Sequence, residues 1–344
     1  MTLNTTCGST SLSFIAKMQL SYILLVLTCI VLLCSLTFYT IESRSPTNSN
    51  PCFRAAVFES LSYGVGRNID PQDPLEFIRL NLDAIDNATE RASSEGAVIL
   101  LTPEHFIITP GVKMEGMSDV SSREVTNMIA EEIPDTKNGV FNPCTQDTVE
   151  LNDKPILKRL SCIAKKRKLY LIVSLVDKQV CLEENCSSDG HLLYNTQVAF
   201  DDEGNIVAKY HKYHLYAESD FNPPENQELV FFDTKFGARI GLFVCFDRMF
   251  KDPIVSLMKD HKVTTLALST YFYDEHPFLL SHQIDEAWSR YFQVNIISSN
   301  QRYPLTGTTG SGIYSSHGYK IYEHDSRKNI PEQDSILLVS SVPV

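Results

Sequence analysis

An α/β fold, a mixed sheet covered by helices within one domain, is what this sequence predicts. Three observations predict it. Segments with helical apolar spacing alternate with short, wholly apolar runs, the pattern of strands buried on both faces. Two hairpin signatures interrupt that alternation, so the sheet is mixed rather than all parallel. The composition is that of a globular chain, 43% hydrophobic and 21% charged over 344 residues, long enough to bury one large core.

The elements follow in order. FRAAVFES (53–60) reads as a strand, and PLEFIRLNLDAIDNATERASSEG (74–96) as an amphipathic helix stopped by Gly96. AVILLT (97–102) is a continuous apolar strand, and 103–155 is irregular with a helical island near 121–132. The helix at 155–167 ends in Lys165, Lys166, Arg167 and Lys168, a basic cluster suited to a helix C-terminus. Strand LYLIVSLV (169–176) comes next. LYNTQVAF and IVAKYH flank the turn DDEGN, and ELVFF and RIGLFVCF flank DTKFGA. A helix at 250–260, strand VTTLALS (263–269), a helix at 279–292 and strand VNIISSN (294–300) add two further units. GSGIYSS and SILLVSSV, near the end, are strand-like. There is no G-x-G-x-x-G after the first strand and no P-loop, so a nucleotide fold has no support.

The N-terminus differs from the rest. MQLSYILLVLTCIVLLCSLTFYTI (18–41) carries no charge, is long enough to cross a bilayer, and is followed by the polar SRSPTNSN. It reads as a signal peptide if translation starts at Met18, or as a signal-anchor if it starts at Met1. Residues 1–50 are therefore a targeting segment plus linker, and 51–344 a domain sent into the secretory pathway, secreted or membrane-anchored on the extracellular side. Sequons at Asn87 and Asn185 agree with that route. Of nine cysteines six follow the apolar segment. In an oxidising compartment Cys181 and Cys186 can close a short loop, and Cys144 and Cys162 are the next pair, leaving Cys52 and Cys245. The net charge of −12, from 30 Lys+Arg against 42 Asp+Glu, argues against a nucleic-acid partner.

Three places carry chemistry. In LLTPEHF (100–106), Glu104 directly follows a buried strand, where a carboxylate reaches the crevice above the sheet, although a solvated loop glutamate has the same signature. In KYHKYHLYAES (209–219), Lys212 follows a strand among aromatic residues, and Glu218 lies close enough to hold its ammonium. His211 and His214 have a metal-like spacing with no third ligand to complete it. In GLFVCFDRMF (241–250), Cys245 ends a strand just before a helix. Free cysteine is often a buried core residue, but a thiolate near a helix N-terminus and a lysine has a lowered pKa and becomes a nucleophile. The N–H of Phe246 is then placed for an oxyanion.

With these motifs in view the sequence resembles the nitrilase (carbon–nitrogen hydrolase) superfamily. TPE, YHKYHL with its following Glu218, and CFD match its three motifs. RLSCIAKK, DGHLLYNTQVAF, FDTKFGARIGLFVCFD, DPIVSLMKD and TGSGIYSS are similar to its vanin and biotinidase branch, over about residues 53–316. The resemblance implies a four-layer αββα sandwich and an amidohydrolase that cleaves a linear, non-peptide amide, pantetheine-like or biotinyl, without metal or organic cofactor. It implies Cys245 as nucleophile, Glu104 as proton carrier, Lys212 and the Phe246 N–H as oxyanion donors, and Glu218 orienting Lys212. This chain departs from the branch at His105, at Arg248 where an apolar residue is usual, and at Tyr271-Phe272-Tyr273 where a tryptophan motif is usual. The branch's second, β-rich domain is not part of this sequence.

Two other readings predict different behaviour. A Cys–His hydrolase using His211 or His214 as base makes Glu104 dispensable for acylation. A membrane-tethered, catalytically impaired binding protein of the same fold keeps the pocket but turns nothing over.

Overall fold

A computed structural model describes residues 51–63, 75–109, 121–148, 151, 153–181, 186–275, 279–318, 320–323 and 335–344. The apolar 18–41 segment, the linker and Asn185 lie outside them. Among the described residues no helix is long and apolar enough to cross a membrane.

Two six-stranded sheets stack face to face. The first has the order β14-β1-β2-β3-β4-β5, built from β1 (Cys52–Glu59), β2 (Ile99–Leu101), β3 (Tyr170–Val180), β4 (His191–Phe200), β5 (Ile206–His211) and β14 (Ile336–Pro343). The second runs β13-β12-β11-β8-β7-β6, from β6 (Phe231–Asp233), β7 (Arg239–Val244), β8 (Thr265–Thr270), β11 (Asn295–Asn300), β12 (Gly312–Tyr314) and β13 (Lys320–Tyr322). β1, β2 and β3 are parallel, as are β7, β8 and β11, while hairpins add antiparallel neighbours. A two-stranded ribbon, β9 (Asp274–Glu275) with β10 (Leu279–Leu280), stands apart.

Strand alternation decides which residues face which layer. In β1, Ala55 and Val57 pack between the sheets with Leu101, Ile172, Leu242 and Ala267. Their neighbours Ala56 and Phe58 point the other way, onto α1 (Glu76–Ser94) and α3 (Pro155–Arg167) through Phe77, Ile85, Leu157 and Leu160. The outer face of the second sheet is covered by α4 (Ile254–Lys259) and α5 (Ser281–Phe292), through Ile254, Leu257, Ile284 and Trp288. The layers are α, β, β, α.

Local chemistry explains most boundaries. α3 starts with Pro155 at its first turn, where a missing N–H costs nothing, and ends in Lys165, Lys166 and Arg167 against the carbonyl end of the helix. The short α2 (Ser122–Ile129) opens with a Ser121–Glu124 capping box. In the β4–β5 turn, Asp201 accepts the N–H groups of Glu203 and Asn205. Gly204 in that turn has φ +89, and a Cβ there would sit 2.7 Å from the Ser161 carbonyl. Disulfides join Cys144 to Cys162 and Cys181 to Cys186. Asn87 is exposed on α1, while the sequon's Thr89 is buried and donates to the Asp86 carbonyl.

The segment after β7 corrects the sequence reading. Instead of one helix at 250–260 there is a 3-10 turn, Cys245–Met249, and then the six-residue α4. Pro253 has no N–H to donate to a continuing helix and disfavours helical geometry in Asp252, so the α-helix begins only after it.

Candidate active site

Glu104, Lys212 and Cys245 each leave the C-terminal end of a strand: β2, β5 and β7. The first two come from one sheet and the third from the other. After β2, Thr102 still donates to Ile172, whereas the Glu104 N–H crosses to the Thr270 carbonyl of the second sheet at 3.3 Å. Gln301 donates to the Glu104 carbonyl at 2.8 Å. The Lys212 N–H donates to the Asn195 carbonyl of β4 at 2.8 Å. Cys245 begins the 3-10 turn at φ 46, a left-handed value that strains a side-chain-bearing residue and clusters at functional sites. His105 and Ala217, also at this pocket, share that backbone region with φ 55 and 52.

Asp247 locks the nucleophile turn to the lysine loop. Its fully buried carboxylate accepts the Val244 N–H at 3.1 Å and the Tyr210 hydroxyl at 2.8 Å, and also the N–H of His214 at 3.1 Å. The aspartate of the CFD motif is thus an anchor, two residues beyond the pocket-lining Cys245.

The polar groups converge tightly. Lys212 Nζ donates to Glu104 Oε1 at 2.8 Å and to Glu218 Oε2 at 2.6 Å. Asn195 Nδ2 donates to Glu104 Oε1 at 2.8 Å and Glu218 Oε1 at 2.7 Å. The Tyr271 N–H holds the other oxygen of Glu104 at 2.9 Å, and the Tyr271 carbonyl accepts from Cys245 Sγ at 3.7 Å. His105 Nε2 lies 2.9 Å from Glu218 Oε1. Glu104, Lys212 and Cys245 are all at most 4% exposed, yet all line one pocket of about 470 Å³ with Tyr216, Glu218 and Tyr273. A larger pocket of about 840 Å³ opens beside β5, and none of the three lines it.

Electrostatics sets the resting protonation. Burial alone would pull the Lys212 pKa down, but Glu104, the Cys245 sulfur and Glu218 outweigh it and hold the ammonium well above the ordinary lysine value. Burial would raise Glu218, but His105 and Lys212 keep it well below the usual carboxylate range. The thiol goes the opposite way from the sequence expectation. Burial first, and the Glu104 carboxylate second, push Cys245 up to about 12, with Lys212 and Arg248 opposing. No α-helix N-terminus is near enough to lower it, because α4 starts at Ile254. At neutral pH the site holds a thiol beside a lysine-bound carboxylate.

Glu104, His105 and Glu218 also lie within metal-binding reach of one another, and the Lys212 ammonium touches both carboxylates. His211 is held between Asp177 at 2.8 Å and Glu228 at 3.0 Å and lines the other pocket. His214 binds Asp247 at 2.8 Å and stacks on Phe250. Neither histidine lines the Cys245 pocket, which removes the geometry a Cys–His pair needs. The sequence reading gives no site role to Asn195 or Tyr271. Asn195 was detectable as a polar residue inside the apolar run LYNTQVAF; Tyr271 acts through its backbone, which no side-chain pattern reports.

Comparison with known proteins gives the family and the fold. The carbon-nitrogen hydrolase family model matches residues 76–278. A pantetheine hydrolase of Homo sapiens is 37% identical over 84% of this chain and 54% of its own length. A biotinidase of Mus musculus is 34% identical over 76% of this chain and 49% of its own. The chain thus spans about half the length of the curated relatives it matches. Among solved structures, an amidase from Nesterenkonia sp. superposes with a TM-score of 0.55 over 88% of this chain and 94% of that one, at 22% identity, a likeness of fold. Fold, motif-bearing strand ends and family match coincide over the same residues, and the chain belongs to the carbon–nitrogen hydrolase family.

Proposed function

We propose that the protein is an extracytoplasmic amidohydrolase that cleaves a linear, non-peptide amide through a thioester on Cys245. The observation that carries this reading is the convergence of Glu104, Lys212 and Cys245, from three strand ends, on one pocket. Its two disulfides suit an oxidising compartment.

The mechanism starts from the neutral thiol. Glu104 takes the Cys245 proton as the sulfur attacks the amide carbonyl, so thiolate forms only in the presence of its target. The tetrahedral oxyanion is held by Lys212 and by the Phe246 N–H, one of the first amides of the 3-10 turn, which have no acceptor inside it. Glu104 returns the proton to the leaving nitrogen, the C–N bond breaks and the amine departs. Glu104 then removes a proton from water, which attacks the thioester; the acid is released and the sulfur regains its proton. Glu218 and Asn195 keep Lys212 and Glu104 in register throughout.

Pantetheine and biotinyl amides are the substrates to try first, since relatives carry those activities in their names. The full chain is assayed for amine release from both, with Cys245→Ala as control. Turnover of either that disappears in the variant supports the reading. Turnover that persists in Cys245→Ala, or none of either amide, refutes it.

A further inference from the structure

The pocket at Cys245 has a floor and a mouth of different character. Glu104, Lys212 and Cys245 form the floor, each at most 4% exposed. Tyr216 and Tyr273, 58% and 40% exposed, form the mouth with the half-buried Ser122 and Asp220. A small molecule that reaches the sulfur passes these groups, and their charge is lopsided. Among the described lining residues Lys212 is the one ammonium, and it is already shared by Glu104 at 2.8 Å and Glu218 at 2.6 Å. His105, on the same wall, is taken up by Glu218 at 2.9 Å. The floor therefore keeps a negative excess, and Asp220 adds a third carboxylate at the mouth.

Asp220 is built into the wall. Ser122, the first residue of α2, donates its hydroxyl to Asp220 Oδ2, and Arg123 Nη1 donates to the Asp220 carbonyl at 2.6 Å. Arg123 does not cancel the charge. Its guanidinium is paired with Asp189 at 2.8 Å, its remaining donors go to the Asn222 side chain and the His191 carbonyl, and it is outside the pocket lining. Arg248, also outside the lining, is paired with Asp285 at 3.2 Å. A carboxylate fixed at the entrance of a pocket needs no rearrangement to repel a like charge, and such repulsion is how sites reject the wrong ligand. The rings of Tyr216 and Tyr273 beside it belong to a class whose faces attract cations.

We propose that Asp220 is a specificity-determining residue: it makes the entrance accept substrates whose non-reacting end is uncharged or cationic and turn away those that end in an anion. This names a substrate class for the hydrolase reading and rests on it, but its test reads the entrance apart from turnover. Cys245 in the intact chain is treated at pH 8 with two methanethiosulfonates of similar size, one bearing a trimethylammonioethyl group and the other a sulfonatoethyl group. The thiolate attacks the sulfenyl sulfur, methanesulfinate leaves, and the mixed disulfide on Cys245 is followed by mass spectrometry apart from that on Cys52. Each rate is divided by that of free 2-mercaptoethanol with the same reagent. The cationic reagent should then be about 10-fold faster than the anionic one, and Asp220→Asn should lower that ratio about 3–10-fold. Asp220→Glu, which keeps the charge, should stay within about twofold of the parent. Raising the salt from about 0.05 M to about 0.5 M should narrow the parent's ratio. With matched amides whose far ends are a hydroxyl, an ammonium or a carboxylate, kcat/KM should be lowest for the carboxylate, and Asp220→Asn should raise it.

Equal normalised rates for the two reagents in the parent, an unchanged ratio in Asp220→Asn, or no labelling of Cys245 by either reagent overturns the proposal. Amide turnover with no preference among the three far ends overturns it too and leaves the hydrolase reading intact. A labelling series that behaves as stated in a protein that cleaves no amide refutes the hydrolase reading and leaves the role of Asp220 standing.

Discussion

Replacing Lys212 by Met should reverse the way stability responds to acid. The ammonium touches Glu104 at 2.8 Å and Glu218 at 2.6 Å, and the two carboxylate side chains are only 2% and 9% exposed. Without it no cation lies between them: Glu104 keeps the Asn195 and Tyr271 donors, and Glu218 keeps Asn195, His105 and the Tyr216 N–H. Breaking a buried pair by removing one partner costs about 3–5 kcal/mol. At roughly 2 °C per kcal/mol for a chain of this size, that is about 6–10 °C in Tm at pH 8. The sign follows from the protonation states. In the parent, Glu218 has a folded pKa below its unfolded value, so its contribution is complete above the unfolded pKa near 4.5 and is lost as pH falls further. In the variant, burial and mutual repulsion raise at least one carboxylate above that value. Its destabilisation is complete above the raised pKa and is relieved as pH falls toward the unfolded one. The gap in Tm between parent and variant should therefore be widest at pH 8 and narrow at pH 5. Thermal melts at the two pH values measure it, and an equal gap at both would refute the account of the cluster. The loss of an oxyanion donor should also lower kcat by about 10²–10³.

Cys245→Ala should abolish amide hydrolysis with only a small loss of stability, since one buried sulfur leaves a small cavity; residual turnover would exclude the covalent route. Asn195→Leu removes a donor shared by Glu104 and Glu218 and should lower kcat about 10–100-fold, the value of a hydrogen bond to a charged group; steady-state kinetics with an unchanged kcat would contradict this. Loss of the Cys144–Cys162 bridge, which spans 18 residues, should cost about 3 kcal/mol, and loss of Cys181–Cys186, which spans 5, distinctly less. Denaturant melts of Cys144→Ala and Cys181→Ala compare the two, and a larger effect at Cys181 would contradict the loop-length argument.

Much of the framework was legible because local and long-range signals agree. The helix at 155–167 has a proline at its start, an apolar stripe and a basic end, and the structure gives it the same bounds. The turn DDEGN marks the β4–β5 hairpin through side-chain acceptors that work whatever surrounds them. The helix expected at 250–260 failed because periodicity ran through Pro253, where a backbone restriction outranks an apolar pattern. Glu104, Lys212 and Cys245 were legible because each follows a strand, and strand ends are readable. Their electrostatics was not: the rise of the thiol pKa depends on burial and on a carboxylate 141 positions earlier in the chain, at Glu104. Asn195 and the Tyr271 amide are positioned by sheet packing, which residue patterns encode only indirectly.

The seam between the sheets makes the site a test of assembly. Glu104 and Lys212 ride on one sheet, Cys245 and Tyr271 on the other, and specific polar links pin the two together, among them Ser269 to the Thr102 carbonyl at 2.8 Å, Gln197 to Ser269 at 3.0 Å, and Tyr210 to Asp247 at 2.8 Å. A half-folded chain with one sheet complete would carry either a base without its nucleophile or a nucleophile without its base. Under the proposed mechanism, chemistry begins only when both halves of the molecule are present and in register.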